Sequence, residues 1–176
     1  MRVRADVAII LDTMKTLLLL RHAKSSWKHP ELADRDRPLN KRGKQAAPLI
    51  GELLQDEDLI PDLILCSSAV RAHTTALLVA KACSYIGEIK QTRKLYLAEP
   101  EDYLEVLRQV AEKHERVLVV GHNPGLEALI EALTGEALAM PTAALAQVEL
   151  SLKRWSDLDT DTDCKLVNVW RPKDLG

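Results

Sequence analysis

Three polar clusters in this sequence carry histidine and arginine side chains of the kind that bind and transfer phosphate groups. Arg21 and His22 are adjacent, Arg71 follows a pair of serines, and His122 lies next to Asn123. Arginine binds phosphate through paired N–H donors, and a neutral imidazole can act as a nucleophile or as a proton carrier. The residue types therefore indicate a phosphate-binding pocket, provided that the fold brings the three clusters together.

Short apolar runs precede these clusters and are typical of strands buried on both faces of a parallel sheet. The predicted strands are residues 14–20, 63–66 and 116–121, and the first contains four consecutive leucines. Ligands of open α/β sheets bind beyond the carboxyl ends of the strands. We therefore expect the clusters to meet at one edge of the sheet, where nearby helix starts add N–H donors.

Strands alternate with amphipathic segments along the chain, which predicts an α/β fold with a mainly parallel central sheet and helices on both faces. Asn40 is expected to cap the first helix, which contains Pro48, and Asn123 the last, with Pro124 at its first position. The predicted helices are residues 40–54, 69–82, 100–113 and 124–134, and the remaining strands are 88–95 near an edge, 143–152 and 165–171.

Length and composition limit the possible classes of protein. The 176 residues indicate one domain, which we place at 14–176, with residues 1–13 as an N-terminal extension. A net charge of −2 and an aromatic content of 3% disfavour nucleic acid partners. No apolar run is long enough to span a membrane, and three widely spaced cysteines are typical of a reducing cytosol. We therefore expect a cytoplasmic protein.

Other catalytic chemistries are disfavoured by spacing. Cys66 and Arg71 are closer in sequence than cysteine-dependent phosphatases require, so that loop would not close on a phosphate. Phosphate loops of the Walker type and glycine-rich dinucleotide turns are missing from the sequence. The histidines lack metal-ligand spacing, and the alternating acids of residues 157–163 lack the glycine and terminal glutamate of a calcium loop. We expect neither a metal nor another cofactor.

The three clusters resemble the motifs of the histidine phosphatase superfamily, which includes the phosphoglycerate mutases. The longer strings at residues 21–27 (RHAKSSW), 36–43 (DRPLNKRG) and 121–124 (GHNP) are similar to those of its small SixA-type branch. The resemblance covers about residues 14–152. It implies a phosphoglycerate mutase-like three-layer sandwich and the phosphohistidine phosphatase activity associated with that branch, in cytoplasmic signal transduction.

The resemblance also implies roles for individual residues. By analogy, His22 is the nucleophile of a covalent phosphohistidine intermediate, Arg21 and Arg71 bind the phosphoryl group, and His122 completes the pocket. The flanking arginines are expected to lower the pKa of His22 and keep its ring neutral for attack. A protonated His122 would stabilise the equatorial oxygens of the transition state.

Secondary roles are less directly implied. Ser25 and Asn123 lie within the matching strings and are candidate substrate-binding residues, whereas Asp36 and Arg37 are expected to brace their loop. Larger members of the superfamily use a carboxylic acid to protonate the leaving group. Glu99 lies near the corresponding region and is the candidate general acid, although the two acids just after Pro100 are equally near.

These observations favour a metal-independent phosphohydrolase that acts on phosphohistidine in a protein partner. The predicted helices leave little room for a lid between the strand ends, and an open pocket suits a phosphorylated side chain on a protein surface. A phosphatase of small phosphate esters is the alternative, and a non-catalytic phosphate-binding regulatory module is the third. The sequence indicates neither the partner nor the oligomeric state.

Overall fold

A single mixed sheet forms the centre of the protein in the computed structural model, which describes residues 14–175. Its strands are β1 (Met14–Arg21), β2 (Leu63–Ser67), β3 (Ile89–Thr92), β4 (Arg116–Gly121), β5 (Leu145–Ser151) and β6 (Cys164–Trp170). Their order is β3-β2-β4-β1-β5-β6. The first four in that order are parallel, whereas β5 is antiparallel to β1 and to β6. The predicted mainly parallel sheet is therefore confirmed, with β3 at an edge as expected.

Helices cover both faces of this sheet. They are α1 (Lys41–Asp56), α2 (Val70–Ala82), α3 (Pro100–Arg108) and α4 (Gly125–Thr134). Successive side chains of a strand point to opposite faces, so the leucine run of β1 is shared between two cores. Leu17 and Leu19 pack with α3 and α4, whereas Leu18 and Leu20 pack with α1 and α2. The predicted three-layer sandwich is confirmed.

The start of α1 follows the sequence prediction. The Asn40 side chain caps the helix by accepting a 2.9 Å hydrogen bond from the Gly43 N–H. Pro48 lies inside the helix without ending it. Since the cap and the apolar spacing are both local features of the sequence, this helix could be predicted without knowledge of its neighbours.

Two helix boundaries differ from the prediction. The helix α3 ends at Arg108 rather than at residue 113. The carbonyls of Glu112 and His114 instead accept hydrogen bonds from Lys15 Nζ, at 3.0 and 3.2 Å, and the latter also from Trp155 Nε1 at 2.7 Å. These long-range donors satisfy the backbone in a turn, so the amphipathic pattern does not continue as helix.

The helix α4 begins at Gly125, and Pro124 precedes its first residue. The prediction that Asn123 is the N-cap of this helix is therefore wrong. The Asn123 amide donates instead to Glu127 Oε1 and to the Met140 carbonyl, each at 2.8 Å. Its side chain therefore ties the start of α4 to a distant loop. The predicted end of α4 is confirmed, with Gly135 at φ 75° in the left-handed conformation.

The proposed N-terminal extension, residues 1–13, lies outside the described residues, and the division of the chain at residue 14 stays a prediction. Within residues 14–175 we find no helix with the length and apolar character needed to cross a membrane.

Candidate active site

The carboxyl ends of the three central strands meet as predicted. Leu20 of β1 lies opposite Val120 of β4, which in turn lies opposite Cys66 of β2. A cavity of about 310 Å³ opens at this edge of the sheet. Its polar and charged lining comprises Arg21, His22, Lys24, Ser25, Asp34, Arg37, Arg71, His122, Asn123 and Thr142. The structure thus brings the four residues of the predicted phosphate pocket to one place.

His22 is held in one tautomer by the backbone of the next residue, Ala23. Its side chain is buried, and Nδ1 lies 2.8 Å from the Ala23 carbonyl oxygen. A carbonyl oxygen can only accept a hydrogen bond, so Nδ1 carries the proton of the neutral ring and Nε2 keeps a free lone pair. The ring is therefore oriented as a nucleophile requires.

The pKa of His22 is lowered to about 4, as the sequence analysis anticipated, but the main cause is different. Burial is the largest contribution, and the positive charges of Arg71, Arg21 and Arg37 add to it against the opposing Ala23 hydrogen bond. The expected effect of the arginines is present, but it is secondary to burial. At neutral pH the ring is uncharged.

His122 lies beside His22 in the cavity lining, with 5.1 Å between the ring centroids. Its Nε2 lies 2.7 Å from Ser67 Oγ, and its backbone N–H donates to the Tyr103 hydroxyl at 3.2 Å. Burial, followed by the proximity of His22 and Arg71, lowers the pKa of His122 to about 3. His122 is therefore neutral at neutral pH, and the protonated form that the sequence predicts requires the negative charge of a bound phosphoryl group.

Arg71 points into the site and is fixed there by Asp34. The Arg71 side chain is buried, with Nη1 donating to the Asp34 carbonyl at 2.7 Å and Nη2 to its Oδ2 at 3.0 Å. Arg37 Nη1 donates to Oδ1 at 3.0 Å, and the Tyr96 hydroxyl donates to Oδ2 at 2.7 Å. The Tyr96 hydrogen bond and then the two arginines lower the pKa of Asp34 to about 2, so this carboxylate is ionised.

Asp34 is a residue of the candidate site that the sequence does not indicate. It lies in a short 3-10 turn, Asp34–Asp36, within a polar loop. The sequence instead predicts that Asp36 braces this loop, yet Asp36 is exposed and makes none of these contacts. The only available signal was the alternation of acids and arginines at residues 34–37, which does not reveal the partner of Asp34.

Arg37 braces the loop after β1, as expected. Its Nε donates to the Ser26 carbonyl at 3.1 Å and its Nη2 to Ser25 Oγ at 2.6 Å. Its guanidinium carbon also lies 3.3 Å from the ring centroid of Trp27. The Ser25 hydroxyl oxygen accepts from Arg37, so its hydrogen can be donated to a ligand in the cavity.

The remaining predicted ligand-binding residues differ in their free hydrogen-bonding groups. Arg21 Nη1 donates to the Met140 carbonyl at 3.1 Å, but its Nε has no partner among the described residues. Asn123 uses its amide nitrogen in the contacts that anchor α4, leaving Oδ1 without a described partner. A phosphate needs donors, so Arg21 fits this ligand, whereas the free group of Asn123 is an acceptor.

Glu99 is the one predicted site residue that the structure does not bring to the cavity. It is exposed at the start of α3, where its backbone N–H donates to Asp102 Oδ2 at 2.9 Å. Asp34 is the one carboxylate among the described residues lining the cavity, and it is ionised. The site therefore presents no described carboxylic acid ready to protonate a leaving group.

Cys66, the cysteine beside the site, is unreactive at neutral pH. Cys66 is fully buried in β2, and this burial raises the pKa of its thiol to about 12. A thiol of this kind is not a nucleophile at neutral pH. Between residues 14 and 175, no group of three or more histidine, cysteine or acidic side chains is arranged to hold a metal ion.

Comparisons with known proteins agree with this geometry. Residues 17–96 match the family described as "Histidine phosphatase superfamily (branch 1)". An uncharacterized protein of Mycobacterium tuberculosis is 31% identical over 152 residues, which is 80% of this chain and 92% of the relative. A phosphoglycerate mutase of Chlamydia felis is 34% identical over 109 residues, 56% of this chain and 47% of the mutase.

Solved structures share the fold. The "putative phosphohistidine phosphatase SixA" of Agrobacterium tumefaciens is 33% identical, with a TM-score of 0.75 over 90% of this chain and 98% of that chain. The protein histidine phosphatase SixA complexed with tungstate is 21% identical, with a TM-score of 0.78 over 92% of this chain and 99% of that chain. The second likeness concerns the fold alone.

Proposed function

Because the chain belongs to the histidine phosphatase superfamily, we propose that it is a phosphatase that transfers a phosphoryl group first to His22 and then to water. One observation carries this proposal. The Ala23 carbonyl and the low pKa of the ring together keep His22 Nε2 unprotonated beside Arg21 and Arg71. A neutral nitrogen next to two phosphate-binding cations is the arrangement that phosphoryl transfer to histidine requires.

In the first step, His22 Nε2 attacks phosphorus, and the bond from phosphorus to the leaving group breaks with its electron pair. Arg21 and Arg71 neutralise the charge on the equatorial oxygens, and His122, whose ring lies beside that of His22, binds them as well. In the second step, water attacks the phosphoryl group and the phosphorus–nitrogen bond breaks. His22 returns to its neutral form, and the protons of water leave with phosphate and solvent.

The substrate we propose is phosphohistidine in a protein. An alkoxide is strongly basic and needs a proton donor as it leaves, but Asp34, the carboxylate on the described cavity wall, is ionised. When the second ring nitrogen of a phosphohistidine is protonated, its imidazole leaves as a neutral group and needs no acid from the enzyme. The lack of a ready acid thus favours this substrate over alkyl phosphates.

The mouth of the cavity supports a macromolecular substrate. Trp27 and Leu97 line it with exposed fractions of 76% and 71%, although both side chains are large and apolar. Exposed apolar side chains at a rim of polar groups are a common feature of protein-binding surfaces. A phosphorylated protein would cover both as its imidazole enters the site.

The decisive experiment compares kcat/KM for a phosphohistidine protein with that for alkyl phosphates, in buffer with and without EDTA. We expect preference for phosphohistidine, no loss of rate with EDTA, and an acid-labile phosphoenzyme after rapid quench with labelled substrate. Equal or faster hydrolysis of the alkyl esters would instead support the small-molecule phosphatase. Phosphate binding without any turnover would support the regulatory module.

A further inference from the structure

A second, strongly basic cavity borders the candidate active site. Its volume is about 260 Å³, and its charged lining consists of Lys24, Arg42, Arg171 and Lys173. We call these four residues the basic groove. Lys24 and Thr142 line both this cavity and the active-site cavity, so the two have a common wall.

Three separate parts of the chain build the basic groove. Lys24 follows β1, Arg42 lies in the first turn of α1, and the other two cations follow β6. Arg171 is held by its Nη2, which donates to the Ala139 carbonyl at 2.9 Å, whereas Lys24, Arg42 and Lys173 are exposed. The fold thus gathers cations that lie far apart in sequence.

These cations are not neutralised by ion pairs in the described part of the protein. None of the four forms an ion pair within residues 14–175, although the whole chain carries a net charge of −2. A further cavity of about 440 Å³ contains Arg171 and Lys173 and also reaches Arg21. Glu127 also lines that cavity, where its Oε1 accepts from the Asn123 amide and the Met140 N–H, and it is the one carboxylate in the described lining of the two cavities. Local repulsion in the groove would be relieved by a bound anion.

We propose that the basic groove binds acidic side chains of the phosphorylated protein, next to its phosphohistidine. This inference rests on the proposed function and specifies the partner. All four cations line one cavity, and Arg171 and Lys173 also line the neighbouring one, so the basic lining extends over two cavities. A lining of this extent suits several carboxylates on a surface better than a single phosphate. Opposite charge would steer the partner toward the site and fix its register, while Trp27 and Leu97 are covered at the mouth.

The test uses two phosphohistidine peptides that differ only in the residues flanking the phosphohistidine, Asp and Glu in one and Asn and Gln in the other. Free phosphohistidine is the third substrate. The wild-type protein is expected to favour the acidic peptide. In an Arg42→Gln, Lys173→Gln double variant that preference falls roughly 2- to 30-fold, which is the range for two exposed ion pairs. Added salt should reduce the preference of the wild type more than that of the variant.

Lys153→Gln is the matched control. This exposed lysine follows β5, whose carboxyl end pairs with the amino end of β1, so it lies at the edge of the sheet opposite the candidate active site. It should retain the full preference for the acidic peptide. Equal hydrolysis of the two peptides by the wild-type protein would overturn the inference while leaving the proposed function in place. If the protein hydrolyses none of the three phosphohistidine substrates, the proposed function itself is wrong. A small bisphosphate is tested as a further substrate. If the double variant loses activity only with this substrate, the groove binds a small anion and the inference of an acidic protein partner is wrong.

Discussion

The strand β1 has a buried basic group near each end, and the two groups are satisfied in different ways. Near the amino end, Lys15 is 3% exposed, and its Nζ donates to the carbonyls of Glu112 and His114 and to Glu115 Oε1, at 3.0, 3.2 and 3.1 Å. All three ammonium protons are therefore used within the protein. At the carboxyl end, the buried His22 keeps one nitrogen free toward a cavity.

This difference separates structural from functional burial of polar groups. A buried group whose bonds are all made by the protein stabilises the fold and offers nothing to a ligand. His22 and Arg21 instead keep unused lone pairs or donors, and the pKa of His22 is strongly lowered, which is the pattern expected at a reactive site. The comparison predicts that substitutions at the two ends of β1 will have different consequences.

The largest effect is expected for His22→Ala. Removal of a covalent nucleophile should lower kcat by about 10⁴-fold or more and abolish the acid-labile phosphoenzyme. Steady-state hydrolysis of a phosphohistidine protein and rapid-quench trapping measure both. Turnover at the wild-type rate would show that the free nitrogen of His22 is not used.

Arg71→Ala should lower kcat/KM by about 100- to 1,000-fold, because a donor to the transition state is lost. Vanadate binding should weaken in parallel. Arg71→Lys is expected to restore only part of the activity, since a point charge cannot replace the planar guanidinium that Asp34 orients. Full activity in the lysine variant would mean that charge alone is required.

Lys15→Met tests the other end of the strand. It leaves buried acceptors without their donor, so the free energy of unfolding should fall by about 1–3 kcal/mol. Because Lys15 does not reach the cavity, kcat at a temperature where the variant stays folded should equal that of the wild type. Urea denaturation and steady-state kinetics measure the two quantities. A lower kcat with unchanged stability would contradict the separation of roles.

The two buried histidines predict a pH dependence of stability. The pKa values of His22 and His122 are lowered to about 4 and about 3 in the folded protein, so below about pH 6.5 the unfolded chain binds protons that the folded one does not. The free energy of unfolding should therefore fall as the pH is lowered from about 6.5 toward 4. The pKa of Asp34 is lowered to about 2, so its carboxylate stabilises the fold at any pH above the ordinary carboxyl pKa. This contribution is lost only as the pH falls toward 2.

Unfolding by urea at pH 7 and at pH 5 measures this slope, and NMR titration of the imidazoles assigns it. A variant with both His22→Gln and His122→Gln should show a flatter dependence. Resonances of the His22 and His122 rings that titrate near pH 6.5 would contradict the effect of burial.

The smallest effect is expected for Glu99→Gln. Glu99 lies outside the cavity, so turnover of a phosphohistidine protein should be unchanged. Loss of its charge at the start of α3 should cost only about 0.3–1 kcal/mol of stability. A large loss of alkyl phosphate hydrolysis in this variant would restore Glu99 as the general acid.

Much of the fold and the core of the site could be predicted, because their signals are local. The leucine run, the Asn40 cap and the polar residues at each strand end are all short patterns, and the sheet rule places those ends together. Asp34 could not be predicted in this way, since its partners Arg71 and Tyr96 lie 37 and 62 residues away in sequence. The end of α3 was mispredicted for the same reason, because Lys15 binds the carbonyls that follow it.

The contact between Asp34 and Arg71 has a consequence for product release. Both η-nitrogens of Arg71 already donate to Asp34, so inorganic phosphate meets an arginine whose charge is partly compensated. Phosphate is therefore held less tightly than by an arginine with no acidic neighbour. In enzymes whose chemistry is fast, departure of the product often limits the rate. In the proposed reaction, Asp34 would thus both orient the arginine and limit inhibition of the enzyme by its phosphate product.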